Sequence, residues 1–527
     1  MPIDPKSRDR WGTAAILLEG GIITNEDLLY QGKNHPGSLI TGTNYETSLT
    51  GGYRRISGYS RYIADTVPGT GQILGTFVFN NGVMAMRGAS VSFAATSATT
   101  WTLLTSTATT ARTGALKYRA ITYNWVAPTI AAVDGDNTPF KYTSSGWTDL
   151  SAAPASAGHI AEFKRHLFLA VDNSQTLTFS APGDDTNYAA TAGAGAINVG
   201  FGVHGLGTWR DELYVFGKKN ISKVTGTSAS NWVLSPVTQN IGCVAPDSIR
   251  EVGGDLVFLS ADGVRTIAGT MRIGDVDISN LSRPVQKKAT ALIPIENYSD
   301  GSCASVVLRI KSQYRIFASR AGTDRSTQGG LIGCLRQNTD GGVNWEWFDF
   351  LGANIYSADS AYLNDESELI VHSHNDASDG YVYKQEQSAF NFLTASGNTV
   401  NIAATLRVPP LTFDDPQLRK TFYRLCAYIY AESATVVYTG SIYDLNDPNT
   451  TQPIDRILAN IAVISTYDAS DTLYDVALFD PQSERDVKFC TQLEGSAMNA
   501  SFILYSTGGY PYIVKSLTIE YALNGRR

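Results

Sequence analysis

The sequence predicts a mainly β protein: a β-propeller of six or seven blades followed by a C-terminal β-sandwich-like domain. Three observations lead there. The first is a recurring hairpin module: a short apolar strand, a polar turn rich in Gly, Asp and Asn, a second apolar strand and an aromatic close. It begins at Phe163, Trp209, Val252, Lys311 and Leu363, near the spacing of roughly 45–60 residues expected of propeller blades. Each module buries only one face alone, so neighbours must stack around an axis to complete a core. The second is composition. Gly (48) and Tyr (27) are plentiful and only 17% of residues are charged, which favours short strands and tight turns over long helices. The third is a change of pattern near Phe390, where longer, evenly amphipathic strands begin. Two facing sheets would bury such strands on one side each.

Residues 1–62 read as an N-terminal arm with a first strand. Trp11 to Leu18 is the strand, and Asn25 to Leu29 forms a helical turn capped by Asn25. Residues 63–389 hold the propeller. The runs TFVF (76–79) and VMAM (83–86) flank Asn80-Asn81-Gly82, a strong hairpin signal. Strands follow at 101–104 and 120–125, and 130–150 forms a hairpin closing on Trp147. These hairpins bring the blade-like units to about seven. Arg283 to Ile293 reads as a short helical insertion, with Ser282 as N-cap and Pro284 in the first turn. Residues 390–527 form the C-terminal domain, with strands at 406–411, 421–431, 434–444, 460–468, 501–507 and 514–523. In the second of these, Phe422, Arg424, Cys426, Tyr428 and Tyr430 alternate with Leu425, Ala427 and Ile429.

The totals exclude several classes. Formal net charge is −8, and the residues from Asn391 onward carry −4 of it. Neither part is basic, so neither grips nucleic acid by neutralising phosphates. The five cysteines (Cys243, Cys303, Cys334, Cys426 and Cys490) lie far apart with no C-x-x-C. They read as small buried hydrophobes of a reduced compartment, neither a disulfide nor a zinc framework. The N-terminus MPIDPKSRDRWG lacks an apolar core, and no run reaches the ~18 apolar residues of a spanning helix. The expectation is a chain made in the cytosol, with no membrane insertion.

Several motifs carry residue types found in chemical sites. Asn338, Asp340, Gly342 and Trp345 stand in N-T-D-G-G-V-N-W, similar to the Asp-box S-x-D-x-G-x-T-W with Asn in place of Ser and Thr. There the carboxylate accepts backbone N–H groups across a turn while the Trp plugs between strands. In sialidases this box is architectural, so it marks a structural turn. His372 and His374 alternate on one strand and could share a face, but two ligands do not make a metal site. Asp134-Gly135-Asp136-Asn137 resembles half a calcium loop. Ser145 stands where the closing acid should be, so an Asp-Gly turn is preferred. Glycines 200, 202, 205 and 207 flank His204 and suggest a strand bend. No nucleophile elbow, P-loop or H-E-x-x-H is present. No catalytic residue, cofactor or metal is expected. Tyr53, Arg54, Arg55, Tyr59 and Arg61 interleave cations with rings and are candidates for inter-subunit contacts.

The segments PGSLITGTNYETSLTGGYRRISGYSRY (36–62), the run from His204 to Gly269, and PPLTFDDPQLRKTFYRL (409–425) resemble the nozzle, or hub, proteins of short bacteriophage tails, also called DNA-stabilisation proteins. The resemblance implies a structural virion component, usually a homohexameric ring below the portal and adaptor proteins. It would dock tail fibres or spikes outside, and DNA would pass through during ejection without specific binding. The alternative is a carbohydrate-binding or glycoside-hydrolysing propeller resembling sialidases. That would need a cluster of three Arg plus a Tyr–Glu pair at the propeller centre, or repeated sugar pockets. A bacterial surface propeller is disfavoured by the missing signal peptide.

Overall fold

The computed structural model describes residues 11–104, 112, 116–143, 146–268, 280–293, 301–320, 329–337, 343–363, 367–387, 391–393, 399–413, 416–431, 435–461 and 487–524. The expected fold class is present: six small sheets form a β-propeller, and further sheets lie C-terminally. The first blade is Ile73–Phe79, Gly82–Arg87, Ser90–Ala95 and Thr102–Leu103. The second runs from Arg119–Asn124 to Gly146–Asp149, the third from His159–Phe163 to Gly195–Asn198, and the fourth from Gly205–Trp209 to Val233–Thr238. The fifth has three strands, Arg250–Val252, Asp255–Ser260 and Gly263–Thr266. The closing blade is Ile355–Leu363, Ser367–His374 and Tyr383–Gln387, with the N-terminal strand Gly58–Arg61 added at its edge. Between the fifth and closing blades stands Gly301–Leu308, Gln313–Arg320, Gly329–Gln337 and Val343–Leu351, one limb of a nine-stranded sheet. Among the described residues the ring therefore has six blades, the closing one completed by Gly58–Arg61, and one sector shared with the C-terminal domain.

Ring closure follows from the innermost strands. Ile73–Phe79 packs on Arg119–Asn124, which packs on His159–Phe163, and so round to Ile355–Leu363, which returns to Ile73–Phe79. Blade cores are made of alternating apolar residues, such as Val83, Ala85 and Val371 in one interblade layer and Phe168, Leu213 and Val224 in another. Gly205 and Gly207 are needed at the fourth inner strand because a Cβ there would meet Ile249 side-chain atoms at 2.6 and 3.0 Å. Four inner hairpins share one turn design. Both central residues have positive φ: Asn80 and Asn81 (44° and 55°), Lys164 and Arg165 (50° and 61°), Arg210 and Asp211 (46° and 64°), Gly253 and Gly254 (60° and 77°). That is the requirement of a type I′ turn, whose twist matches its strands.

The C-terminal domain pairs two sheets. One holds the long strands Lys420–Ala431 and Tyr512–Leu523, and the other holds Ala404–Arg407, Thr435–Tyr443 and Ala500–Ser506. Phe422 and Phe502 meet between them, with ring centroids 6.2 Å apart. The N-terminal segment is not a separate arm. Trp11–Leu17 pairs with Tyr512–Leu523, Tyr45–Thr47 and Tyr53–Arg55 join the same sheet, and Thr41–Thr43 bridges Val343–Leu351 to Ala404–Arg407. Those partner edges lie open in both domains, and the short strands fill them.

Other details differ from the sequence reading. The first helix is Leu28–Asn34, and Asp27, not Asn25, caps it by accepting from the amides of Leu29 and Tyr30. Ser282 does not cap the insertion, whose turns are Arg283–Val285 and Gln286–Thr290; its hydroxyl accepts from Val264 N instead. Cys426 and Cys490 are joined as a disulfide across adjacent strands, while Cys243, Cys303 and Cys334 are free and buried. A register shift between Phe422 and Arg424 splits the alternating face expected there. Of the strand expected at 460–468, residues 462–468 lie outside the described residues, and the strand seen is Arg456–Ile461.

Candidate functional site at the propeller axis

The inner strands all start from one face of the ring, and polar side chains gather there. Arg119, at the start of the second inner strand, reaches across to Asp247, which precedes the fifth. Nε donates to Oδ1 at 2.7 Å and a terminal nitrogen to Oδ2 at 3.0 Å. Another Arg119 nitrogen donates to the Gly158 carbonyl of the third blade at 3.0 Å. Lys117 lies 3.1 Å from the same Asp247 carboxylate and donates to Ser302 Oγ (2.6 Å) and Cys303 O (3.1 Å) of the shared sector. Its ammonium also sits 5.1 Å from the ring of Tyr356 in the closing blade. Deeper along the axis, Arg250 donates to Ser305 O and Ala358 O, and Ser305 Oγ donates to Asp247 O. Five sectors are tied together at the centre by these bonds.

The electrostatics fit a permanent brace. Burial alone would raise the Asp247 carboxyl, but Arg119 and Lys117 outweigh it and hold the group well below the carboxylate range. Paired and hydrogen-bonded, this carboxylate stays ionised and is no proton donor or acceptor near neutrality. Deeper still, burial raises Asp359, which accepts from Val78 N at 3.0 Å.

Beside the brace lies a second constellation. His159 begins the third inner strand, Asp172 sits in a loop of the same blade, and His204 immediately precedes the fourth inner strand. Asp172 Oδ1 is 3.0 Å from His159 Nε2 and 2.9 Å from His204 Nδ1. His159 is buried, and Asp172 is open to solvent on one side. Burial pushes the His159 ring down to about 4, against the pull of its bond to Asp172. Asp172 is held low by both rings despite its partial burial.

The expected contact residues are placed elsewhere. Tyr53, Arg55 and Tyr59 are buried inside the chain, so they do not offer surface to a neighbouring subunit. The Tyr53 hydroxyl accepts from Gly21 N at 2.8 Å. Arg55 donates to Gly508 O (2.9 Å), Gly509 O (2.8 Å) and Ile402 O (2.5 Å). Tyr59 packs among His372, His374, Tyr383 and Phe392. Arg54 pairs with Glu46 at 3.1 Å, and Arg61 lies 3.6 Å over the Tyr381 ring. These contacts lie within the chain, where the segment fills strand edges. His372 and His374 do share a buried cluster, where His374 Nδ1 meets Asp379 Oδ2 at 2.8 Å. Asp134 is a turn carboxylate, as preferred: it accepts from Asp136 N and Asn137 N and pairs with Arg112. Asn338, Asp340 and Gly342 lie outside the described residues, while Trp345 stacks on Trp347 with centroids 5.7 Å apart.

The His159–Asp172–His204 group was missed in the sequence, although a signal exists. Aligning the repeats on Phe163 and Trp209 puts His159 opposite Gly205 and His204 opposite Gly158. The two rings thus start neighbouring inner strands one residue out of step.

No family model and no curated protein matches this chain. Among solved structures, it is similar to the extracellular domain of a putative hybrid two-component system from B. thetaiotaomicron, at 8% identity and a TM-score of 0.37. The match covers 73% of this chain and 45% of that one, so the chain spans under half of that neighbour's length. Hsv2 of Kluyveromyces lactis matches at 12% identity and a TM-score of 0.29, over 53% of this chain and 98% of that one. At such scores neither neighbour carries an argument about function. Among the described residues, no helix is long and apolar enough to cross a membrane.

Proposed function

We propose that this chain is a structural subunit of a short bacteriophage tail, the nozzle or hub ring that extends the DNA channel below the portal and adaptor. In this reading it performs no catalysis. The observation that carries it is the fusion of propeller and sandwich into one body through residues 36–62, one of the segments that resemble that family. Three of its strands enter the C-terminal sheets and a fourth closes the propeller. A part that must hold shape under pressure gains from such welding, because relative domain motion is the default where the interface is small. The axial brace adds a constraint. The centre of each propeller is crossed by Arg119–Asp247, so DNA would travel between copies rather than through one. Net charge of −8 gives such a passage no counterion-release grip on DNA. A disulfide suits a particle that works outside the cell.

The test is the mass and image of the purified full chain, alone and with the adaptor. Six-fold rings with a passage between subunits, together with no retention of duplex DNA at physiological salt, are expected. A monomer at all concentrations that joins no particle, or hydrolysis of any glycoside in a panel, would overturn the reading.

A further inference from the structure

We infer that His159, Asp172 and His204 form a binding site for a divalent transition-metal ion, with zinc the best match, stapling the third blade to the fourth. The inference is independent of the tail assignment. It starts from donor chemistry. The Val244 carbonyl lies 3.2 Å from His204 Nε2, and a carbonyl can only accept. Nε2 therefore carries the hydrogen, which leaves Nδ1 facing Asp172 Oδ1 at 2.9 Å. Two acceptors at that distance require a cation between them. A proton is one answer and a metal ion is the other.

The geometry favours the metal on three counts. All three donor atoms lie within 4.8 Å of one another. Bonds of 2.0–2.1 Å at a tetrahedral centre space their ligands about 3.3 Å apart. The observed separations of 2.9 and 3.0 Å need only a few tenths of an ångström of opening. Second, an outer partner is already in place. The Val244 carbonyl holds His204 in the tautomer that presents Nδ1, the role an outer hydrogen bond has in histidine metal sites. Third, the set is two imidazoles and one carboxylate with Asp172 open on one side, which leaves room for a water in the fourth position. The nearest axial cation, Arg119, is occupied by Asp247 and Gly158 O. Because Asp172 and His159 belong to one blade and His204 begins the next, an ion would lock the seam between them.

The experiment uses the full chain, stripped with a chelator and titrated with Zn²⁺ and with Co²⁺, with binding followed by calorimetry and by the cobalt d–d spectrum. One ion per chain is expected, with tetrahedral cobalt intensity and no sulfur-to-cobalt charge-transfer band. That band would instead indicate the free cysteines. Asp172→Asn, nearly isosteric at a half-open loop position, should weaken binding at least tenfold, as should His204→Ala. His35→Ala, at an exposed histidine, should leave it unchanged. Thermal melts of the stripped variants check folding, and zinc should raise the melting temperature of the wild type but not of Asp172→Asn. Absence of stoichiometric binding by the wild type, or binding equal in all three variants, would overturn the inference and leave His159, Asp172 and His204 as a hydrogen-bonded group.

Discussion

At the residue scale, the most informative side chain is Arg55. Its guanidinium is buried, yet its donors meet three backbone carbonyls, at Ile402, Gly508 and Gly509. Burial lowers its pKa, and the nearby hydroxyls of Tyr512 and Tyr45 oppose that. The residue ends the strand Tyr53–Arg55, so it clasps loops of the C-terminal domain from the N-terminal segment. Arg55→Met keeps the volume and removes the donors, leaving buried carbonyls without partners. It should destabilise the protein by about 3 kcal/mol, read as a shift of the denaturation midpoint. Arg54→Met should cost less, because its partner Glu46 keeps Lys311 and Arg315. The sequence made these arginines noticeable but not their partners. An Arg between tyrosines reads alike whether it grips another subunit or a loop more than 400 positions away. The axial pair was equally hidden: Arg119 and Asp247 are 128 positions apart, and neither sits in a motif.

At the element scale, local chemistry was legible and long-range pairing was not. Asn80-Asn81-Gly82 gave the first inner hairpin, and the recurring modules, which start where each inner strand ends, gave the second and third strands of the later blades. Both depend on neighbouring residues, namely alternation with period 2 and turn residues that tolerate positive φ. The three- and four-residue strands between Thr41 and Arg61 are too short for periodicity, so their division between two domains left no trace. The disulfide escaped for a similar reason. Cys426 and Cys490 are 64 positions apart, and their odd companions suggested reduced thiols. A direct check is alkylation in denaturant. Without reductant, three cysteines should be labelled, and with reductant all five. Five labels without reductant would show that the pair is open. Closing a loop of that length stabilises by about 4 kcal/mol in the chain-entropy treatment, so Cys490→Ser should lower the denaturation midpoint.

At the scale of the whole molecule, the domains are joined by charge as well as by strands. Glu46 of the N-terminal segment, Arg315 of the shared sector and Glu386 of the closing blade meet in one buried network. Arg315 is 2.9 Å from Glu46 and 2.7 Å from Glu386, and Lys311 lies 2.6 Å from each. Burial would raise the Glu386 carboxyl, but Arg315 and Lys311 outweigh it and hold it down to about 2. A group depressed in the folded state lends stability above its ordinary value of 4.5, and that share is lost as pH falls toward 2. The urea midpoint should therefore decline through that window. Burial raises Asp349 and Asp359, and their protonation acts in the opposite sense. The comparison that isolates the network is therefore Glu386→Gln, which should be less stable at neutral pH and flatter in acid. An unchanged slope in that variant would show that Glu386 is not responsible.

The pairing of Trp11–Leu17 with Tyr512–Leu523 also has a consequence for how the chain is made. A ribosome adding 5–20 residues per second needs on the order of 25–100 s to travel between those two strands. Throughout that interval Trp11–Leu17 lacks its partner strand, and the closing blade cannot rely on a finished neighbouring domain. Nascent chains would carry bare strand edges of the kind that recruit strangers, so successful synthesis depends on keeping copies apart until Tyr512–Leu523 emerges.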